Sequence, residues 1–197
     1  DRADRGEHVL WIENTVDDAQ RRYREIAARA RDFAECGLVH SRFLKRDRWQ
    51  KEDQWVEIYG KDGGGQRSSQ GRILVGTQVL EQSLDIDADY LVTRICPMDM
   101  LFQRMGRLWR HRENDVRRPQ AAKPQVWVLA PSLESALENE NAFGKTAKVY
   151  APYVLCRTLE VLRNKSSGVL VVPEAIRPLL EAVYQEALER EFVARGI

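Results

Sequence analysis

The sequence predicts an α/β fold, in which helices cover both faces of a mostly parallel sheet and a helical segment follows. Short apolar runs rich in β-formers alternate with longer amphipathic stretches over residues 1–130. After Pro131 the pattern becomes helical. Strands that alternate with helices imply right-handed crossovers between parallel strands, so the sheet is expected to be buried on both faces.

Five runs have the length and composition of buried strands. They are 8–14, 38–41, 72–77, 90–95 and 125–130. Helices are predicted between and after them, at 18–35, 47–60, 79–86, 98–111, 151–164 and 173–192. Polar loops are predicted at 61–71 and 112–124.

Several helix boundaries follow from particular residues. Thr15 or Asp17 can cap the first helix, which is expected to end near Gly37. Pro173 suits the first turn of the last helix.

Tryptophans at helical spacing suggest which face of the second helix is buried. We expect Trp49 and Val56 to point inward, with Trp55 as a further candidate.

Composition limits the classes of protein. Lys and Arg total 31 against 30 Asp and Glu, a net charge of +1, so nucleic-acid binding would have to come from local patches. The apolar runs are too short to span a bilayer, and no membrane partner is expected. The three cysteines are far apart without metal-ligand spacing, which predicts reduced thiols, no metal site and a cytoplasmic location.

One predicted helix carries a one-sided row of arginines. At about 100° per residue, Gln103, Arg107 and Arg110 share a face, while Leu101, Phe102, Met105, Leu108 and Trp109 gather opposite. Arg104 lies to one side. Because the guanidinium fork pairs with phosphate oxygens two at a time, this face predicts binding of a polyanion.

Further polar residues follow the predicted strands. Ligands of parallel α/β sheets bind at the carboxyl ends of the strands. The hydroxyl or amide groups there, which suit a sugar-phosphate backbone, belong to Asn14, Thr15, Ser41 and Thr77. Asp85 and Asp87 offer acceptors for ribose hydroxyls or for cationic partners.

Two stretches carry a family resemblance. Residues 77–85, TQVLEQSLD, and residues 103–111, QRMGRLWRH, resemble motifs V and VI of superfamily-two helicases. Their amino-acid sequences are most similar to those of the CRISPR-associated helicase-nuclease family of type I interference systems. The resemblance implies a RecA-like C-terminal helicase lobe at 1–130, followed by a helical extension at 131–197 that begins a C-terminal region.

The resemblance also implies roles for individual residues. Arg107 and Arg110 would be arginine fingers, and Gln103, Arg104 and Asp85 would lie at the ATP. The residues expected along the nucleic-acid track are Asn14, Thr15, His40, Ser41, Arg42 and Thr77. Glu81 and Gln82 lie between the two groups in the sequence and could couple them.

A complete ATPase needs parts that this sequence lacks. There is no G-x-x-x-x-G-K-[ST] loop, since Gly144-Lys145-Thr146 has Asn139 at the position of the first glycine. Neither an Asp-Glu dipeptide nor the His-Asp dipeptide of the family's nuclease domain occurs. We therefore expect half of an ATPase site, with ATP and Mg²⁺ held mainly by a first RecA-like lobe. Further expected partners are that lobe and the nuclease domain of the parent chain, single-stranded DNA, and a multi-subunit guide-RNA surveillance complex.

Two alternatives stay open at this point. The chain could be the lobe of a superfamily-two RNA or DNA helicase outside CRISPR systems. It could instead be a binding module for nucleic acid or a partner protein that never turns over ATP.

Overall fold

The computed structural model describes residues 1–61, 67, 70–82, 84–139, 141–165 and 168–185. Its strands are β1 (His8–Ile12), β2 (Ala34–Val39), β3 (Gly71–Gly76), β4 (Tyr90–Arg94) and β5 (Gln125–Leu129). The α-helices are α1 (Val16–Ala30), α2 (Lys45–Tyr59), α3 (Val79–Gln82), α4 (Met98–Met105), α5 (Leu133–Glu138), α6 (Pro152–Arg163) and α7 (Ile176–Tyr184). Short 3₁₀ helices cover Ala3–Arg5, Arg112–Arg117 and Gly144–Lys148.

The five strands form one sheet in the order β2-β3-β1-β4-β5. β1 pairs in parallel with β3 and β4, and β2 pairs in parallel with β3. In this register Leu10 of β1 lies beside Leu74 of β3 and Leu91 of β4. The predicted α/β class and the predicted sheet are confirmed.

The chain divides into two compact units. The first comprises Asp1–Arg94 and Gln103–Val128, and it contains β1 to β4. The second comprises Ile95–Phe102 and the described residues from Leu129 onward. The described residues of the helical extension predicted at 131–197 lie in the second unit; that the extension is a separate domain stays a prediction.

Large apolar side chains form the core of the first unit. Leu10, Leu74 and Leu91 are fully buried in the centre of the sheet, and α2 packs Trp55 and Tyr59 into the same cluster. Each fully buried side chain of this size contributes roughly 1.5–3 kcal/mol relative to exposure. The strands that carry the candidate site residues are therefore firmly held.

The end of the first helix was predicted wrongly. α1 begins after Thr15, whose Oγ1 accepts a hydrogen bond from the backbone of Asp18, so Thr15 is the cap. The helix ends at Ala30 rather than near Gly37, because residues 34–39 pair with β3 as a strand. Sheet pairing overrides the helix-compatible composition of that stretch.

The buried face of α2 was predicted in part. Trp55 is buried, and Val56 packs partly against the core. Trp49, expected inside, is 52% exposed. Gly37 leaves the space that Trp55 occupies, since a Cβ at position 37 would lie 2.0 Å from the indole of Trp55.

The predicted arginine helix is shorter than expected. α4 ends at Met105, immediately before Gly106, a poor helix former. The chain then forms a parallel bridge between Leu108 and Ala88, with Ala88 N bonded to Arg107 O at 2.8 Å and Trp109 N bonded to Ala88 O at 3.0 Å. Arg107 and Arg110 therefore do not share a helix face with Gln103.

The second unit is helical where it was expected to be. α6 begins with Pro152, and Arg157 of α6 donates to the carbonyl of Ala182 in α7 at 2.6 Å. α7 begins at Ile176, so Pro173 precedes the helix instead of occupying its first turn. Residues 186–192 of the predicted last helix, and most of the predicted loop 61–71, lie outside the described residues.

Candidate nucleotide and nucleic-acid site

Three hydroxyl residues follow three neighbouring strands. Thr15 follows β1, Ser41 follows β2 and Thr77 follows β3, and these strands are adjacent in the sheet. Since all three are parallel, the three residues lie at the carboxyl edge, as predicted. Ser41 is exposed and Thr15 half-buried, whereas Thr77 is buried and its carbonyl accepts from Leu80 N.

His40 and Arg42 lie in the same loop in different environments. His40 is buried, with Nε2 3.1 Å from the Gln20 amide and its ring stacked on Phe43 at 4.1 Å. Burial, aided by the charges of Arg42 and Lys51, lowers the pKa of His40, so the ring is neutral at pH 7. Arg42 is exposed and pairs with Asp17 at 2.7 Å.

A buried arginine connects motif VI to motif V. The side chain of Arg104 is fully enclosed, and its Nε donates to Oε1 of Glu81 at 2.8 Å. Its two Nη atoms donate to Thr93 Oγ1 at 2.7 Å and to Asn14 Oδ1 at 3.0 Å. A buried charge needs such partners, because an unpaired one would cost several kcal/mol.

This network changes two expectations. Arg104 was expected at the nucleotide and Asn14 on the nucleic-acid track, yet both are buried and bonded to each other. Their short distance could not be read from positions 90 residues apart in the sequence. In this structure both support neighbouring residues instead of facing a ligand.

The two candidate arginine fingers lie just beyond α4. Arg107 is half-buried and donates through Nη2 to the carbonyl of Glu81. Arg110 is exposed and donates through Nε to Oδ1 of Asp85 at 2.7 Å. Burial and the nearby charge of Arg110 lower the pKa of Arg107, which still leaves it cationic at neutral pH. Among the described residues, these two neighbouring guanidinium groups share the exposed carboxylate of Asp85.

In the structure, the carboxylate of Asp85 contacts the side chains of Arg110 and His111. Burial would raise its pKa, but the hydrogen bond from Arg110 and the neighbouring His111 outweigh burial and lower the pKa. His111 Nε2 lies 3.2 Å from the same carboxylate. The expected contact of Asp85 with a ribose is therefore in competition with these two partners. Gln82 and Gln103 are both exposed.

The Arg107–Arg110 segment lies away from the carboxyl edge. Leu108 bridges to Ala88, two residues before β4 begins, and Asp89 N bonds to the carbonyl of His8 at the start of β1. This segment has therefore returned toward the amino-terminal ends of the strands. Glu81 lies between the two ends: its side chain holds Arg104, and its carbonyl accepts from Arg107.

A buried ion cluster at the amino edge was not predicted as such. Asp87 and Asp89 are fully buried and pair with Arg67 and Arg118. Asp87 also accepts the backbone N–H of Arg110 at 2.9 Å. Of the two uses expected for Asp87, the structure shows cationic partners, and the buried carboxylate is not available to a ribose. Alternating aspartates directly before a buried strand were the signal in the sequence.

His8 packs against the same cluster. Burial, together with the charges of Arg67, Arg72 and Arg118, lowers its pKa to about 2, so it is a neutral residue. Its ring lies 4.8 Å from that of Tyr59. The cluster therefore fixes the start of β1 as well as the segment that carries Arg110.

Other kinds of site are absent within the described ranges. No cluster of three or more His, Cys, Asp or Glu side chains is arranged to hold a metal ion there. Nor does any described helix have the length and hydropathy needed to cross a bilayer. All three cysteines are free thiols.

The sheet, together with motifs V and VI, defines the C-terminal lobe of a helicase. The family model "CRISPR-associated nuclease/helicase Cas3, C-terminal" matches residues 5–113, and the chain belongs to this family. The CRISPR-associated endonuclease/helicase Cas3 of Escherichia coli (strain K12) is 36% identical over 198 residues, which cover 99% of this chain and 21% of that protein. The chain therefore spans about a fifth of this relative.

Similar solved structures support the same family assignment. The crystal structure of T. fusca Cas3-ATP matches with a TM-score of 0.82 and 33% identity, covering 98% of this chain and 23% of that one. A chain in a structure described as "CRISPR RNA-guided surveillance complex, pre-nicking" matches with a TM-score of 0.76 and 31% identity over 96% of this chain and 24% of that one. Family membership decides against a helicase outside CRISPR systems.

Proposed function

We propose that the chain is the second lobe of an ATP-dependent single-stranded-DNA translocase or helicase acting in CRISPR interference. ATP and Mg²⁺ would be held mainly by a first RecA-like lobe elsewhere in the parent protein. The observation that carries the proposal is the position of Glu81, which contacts Arg104 through its side chain and Arg107 through its backbone. Such a residue can link a DNA contact to the nucleotide.

Arg107 and Arg110 would act on the transferred phosphoryl group. Phosphoryl transfer depends mainly on positioning and on charge at the γ-phosphate, and an arginine finger is worth about 10³–10⁵ in rate in GTPase systems. The two guanidinium groups repel each other, and Asp85 is the exposed carboxylate beside them. A phosphate between the two arginines would relieve this repulsion, and Gln103 and Asp85 would then contact other parts of the nucleotide.

The DNA backbone would be held at the carboxyl edge. Thr15 and Ser41 offer hydroxyls there, Arg42 offers a charge, and the backbone around buried Thr77 offers peptide groups. Hydroxyl and backbone contacts bind sugar-phosphate without reading sequence, as a translocase requires. His40 and Asn14 would support this edge from beneath, because both are buried.

Coupling would run through α3. Glu81 ties this helix to Arg104, and Arg104 in turn holds Asn14 and Thr93 near the ends of β1 and β4. A shift of α3 when DNA moves at Thr77 would therefore displace Arg107. Gln82, exposed on the same short helix, would face the other lobe.

The proposed partners are suggested by the relatives. A chain similar to this one occurs in the structure described as a CRISPR RNA-guided surveillance complex, and two relatives are named endonuclease/helicase and nuclease/helicase. We propose that the parent protein of this chain has a nuclease domain and a first lobe, and that it joins such a guide-RNA complex.

The test is ATP hydrolysis by the intact parent protein with and without single-stranded DNA. Arg110→Ala should lose on the order of 10³-fold in DNA-stimulated hydrolysis while ATP still binds. Arg163→Ala is the matched control, since Arg163 also forms an exposed ion pair with an acid, Glu134. If Arg110→Ala hydrolyses ATP like the control, the arginines serve another anion, and a binding module that never turns over ATP becomes the better explanation.

A further inference from the structure

The loop after β2 and the first turns of α2 form an unusually basic surface. Residues 42–51 contain five Lys or Arg and one Asp, in a chain whose net charge is +1. Arg42 pairs with Asp17, and Arg48 with Glu52. Across the part of the chain that the structure describes, Lys45, Arg46 and Lys51 pair with no carboxylate. This local charge favours a polyanionic ligand.

The same surface exposes large apolar side chains. Leu44 is 76% exposed, and Trp49, which was expected to point inward, is 52% exposed. Lys45 Nζ lies 4.8 Å from the centroid of the Trp49 indole, and Lys51 Nζ lies 5.2 Å from that of Phe43. Aromatic rings interleaved with cations suit the stacked bases and phosphates of a single strand.

The surface adjoins the proposed DNA track. Phe43 stacks on His40, whose Nε2 meets Gln20 of α1, and Arg42 pairs with Asp17 in the first turn of α1. β2 lies at the sheet edge next to β3, which ends just before Thr77. A strand bound at Thr15 and Thr77 therefore has this surface as its neighbour on the β2 side.

We propose that Trp49 and Leu44 form a platform for bases of single-stranded nucleic acid, with Lys45, Arg46 and Lys51 binding the adjacent phosphates. The proposal rests on the proposed function, because it extends the same track. It commits to nucleic acid over a protein partner, since the stretch that exposes Leu44 and Trp49 carries five cations against one carboxylate, Asp47. It adds base contacts to a track that otherwise offers only backbone contacts.

The experiment measures binding of a fluorescent single-stranded oligonucleotide to the intact parent protein by anisotropy at several salt concentrations. Trp49→Ala should weaken binding about 5- to 150-fold, the range that alanine substitution of a stacking aromatic gives. Trp49→Phe should recover most of the affinity. Trp127→Ala is the matched control, because Trp127 is 66% exposed and lies on β5, at the opposite edge of the sheet from β2.

Salt dependence separates the charges from the ring. Lys45→Ala with Arg46→Ala should reduce the slope of log K against log salt by about 0.7 for each phosphate that is no longer neutralised, whereas Trp49→Ala should leave the slope unchanged. Equal binding by Trp49→Ala and Trp127→Ala, with the wild type binding tightly, overturns the platform and leaves the proposed function intact. If the wild type neither binds the oligonucleotide nor is stimulated by it, the proposed function itself fails.

Discussion

The enclosed pair of Glu81 and Arg104 allows a worked prediction. Both side chains are 0% exposed, and Nη2 of Arg104 lies 2.8 Å from Oε1 of Glu81. Glu81→Gln keeps the shape but leaves the guanidinium without its counter-charge. Removing one partner of a buried pair costs about 3–5 kcal/mol. Because Thr93 and Asn14 still accept from Arg104, we expect the lower end, about 3 kcal/mol.

Thermal and urea unfolding of the purified chain, followed by circular dichroism, measure this destabilisation. For a chain of this size about 3 kcal/mol lowers Tm by roughly 6–12 °C. The matched control is Glu134→Gln, which breaks the exposed pair with Arg163 and should leave Tm unchanged.

A double-mutant cycle isolates the pair. Arg104→Met alone leaves the Glu81 carboxylate buried without its partner and should also cost about 3–5 kcal/mol. The double variant removes both charges and should be more stable than either single one. If its destabilisation instead equals the sum of the two single values within about 0.5 kcal/mol, the side chains do not interact as argued.

Two further predictions concern the amino edge and the core. His8 has a folded pKa of about 2 against an ordinary pKa of 6.5. Below pH 6.5 only the unfolded chain therefore binds this proton, so the free energy of unfolding decreases as the pH is lowered. Between pH 6.5 and 5 the decrease should be about 2 kcal/mol, and urea unfolding should find it smaller in His8→Gln; equal decreases would contradict the assignment. Gly37→Ala places a methyl group 2.0 Å from the Trp55 indole and should cost about 1–3 kcal/mol in the same assay, where an unchanged midpoint would show that the indole moves freely.

Periodicity and strand chemistry predicted much of the fold. β1, β3 and β4 are continuous apolar runs bounded by turn residues, so their positions followed from the sequence within a residue or two. The start of β2 did not, because Ala34 to Gly37 have no strand preference and depend on pairing with β3. The end of α4 did not either, because it depends on Ala88, which lies 20 residues before Leu108.

The candidate site was predictable in its members but not in its arrangement. Motif residues identify Arg107 and Arg110, and the carboxyl-edge rule places Thr15, Ser41 and Thr77 together. Which arginine faces solvent depends on long-range pairing: Arg104 is buried because Glu81, from another segment, meets it there. A helical projection treats all arginines of the motif alike. In the structure, Arg104 is a buried structural residue, whereas Arg107 and Arg110 are accessible.

The arrangement at Arg110 also constrains how the arginines could respond to a nucleotide. The backbone N–H of Arg110 is bonded to Asp87, and Asp87 is clamped by Arg67 and Arg118, so the main chain at this point is tied to the amino edge of the sheet. Among the described residues, the guanidinium contacts the exposed carboxylate of Asp85 and, at a long 3.4 Å, the carbonyl of Gly106. On the proposed role, Arg110 would therefore engage a phosphate by exchanging its side-chain partner, with little movement of its backbone. Arg107 differs, because its partner is the backbone of Glu81, so a movement of α3 would carry this acceptor with it. Of the two proposed fingers, Arg107 is thus the one suited to report DNA binding to the ATP site.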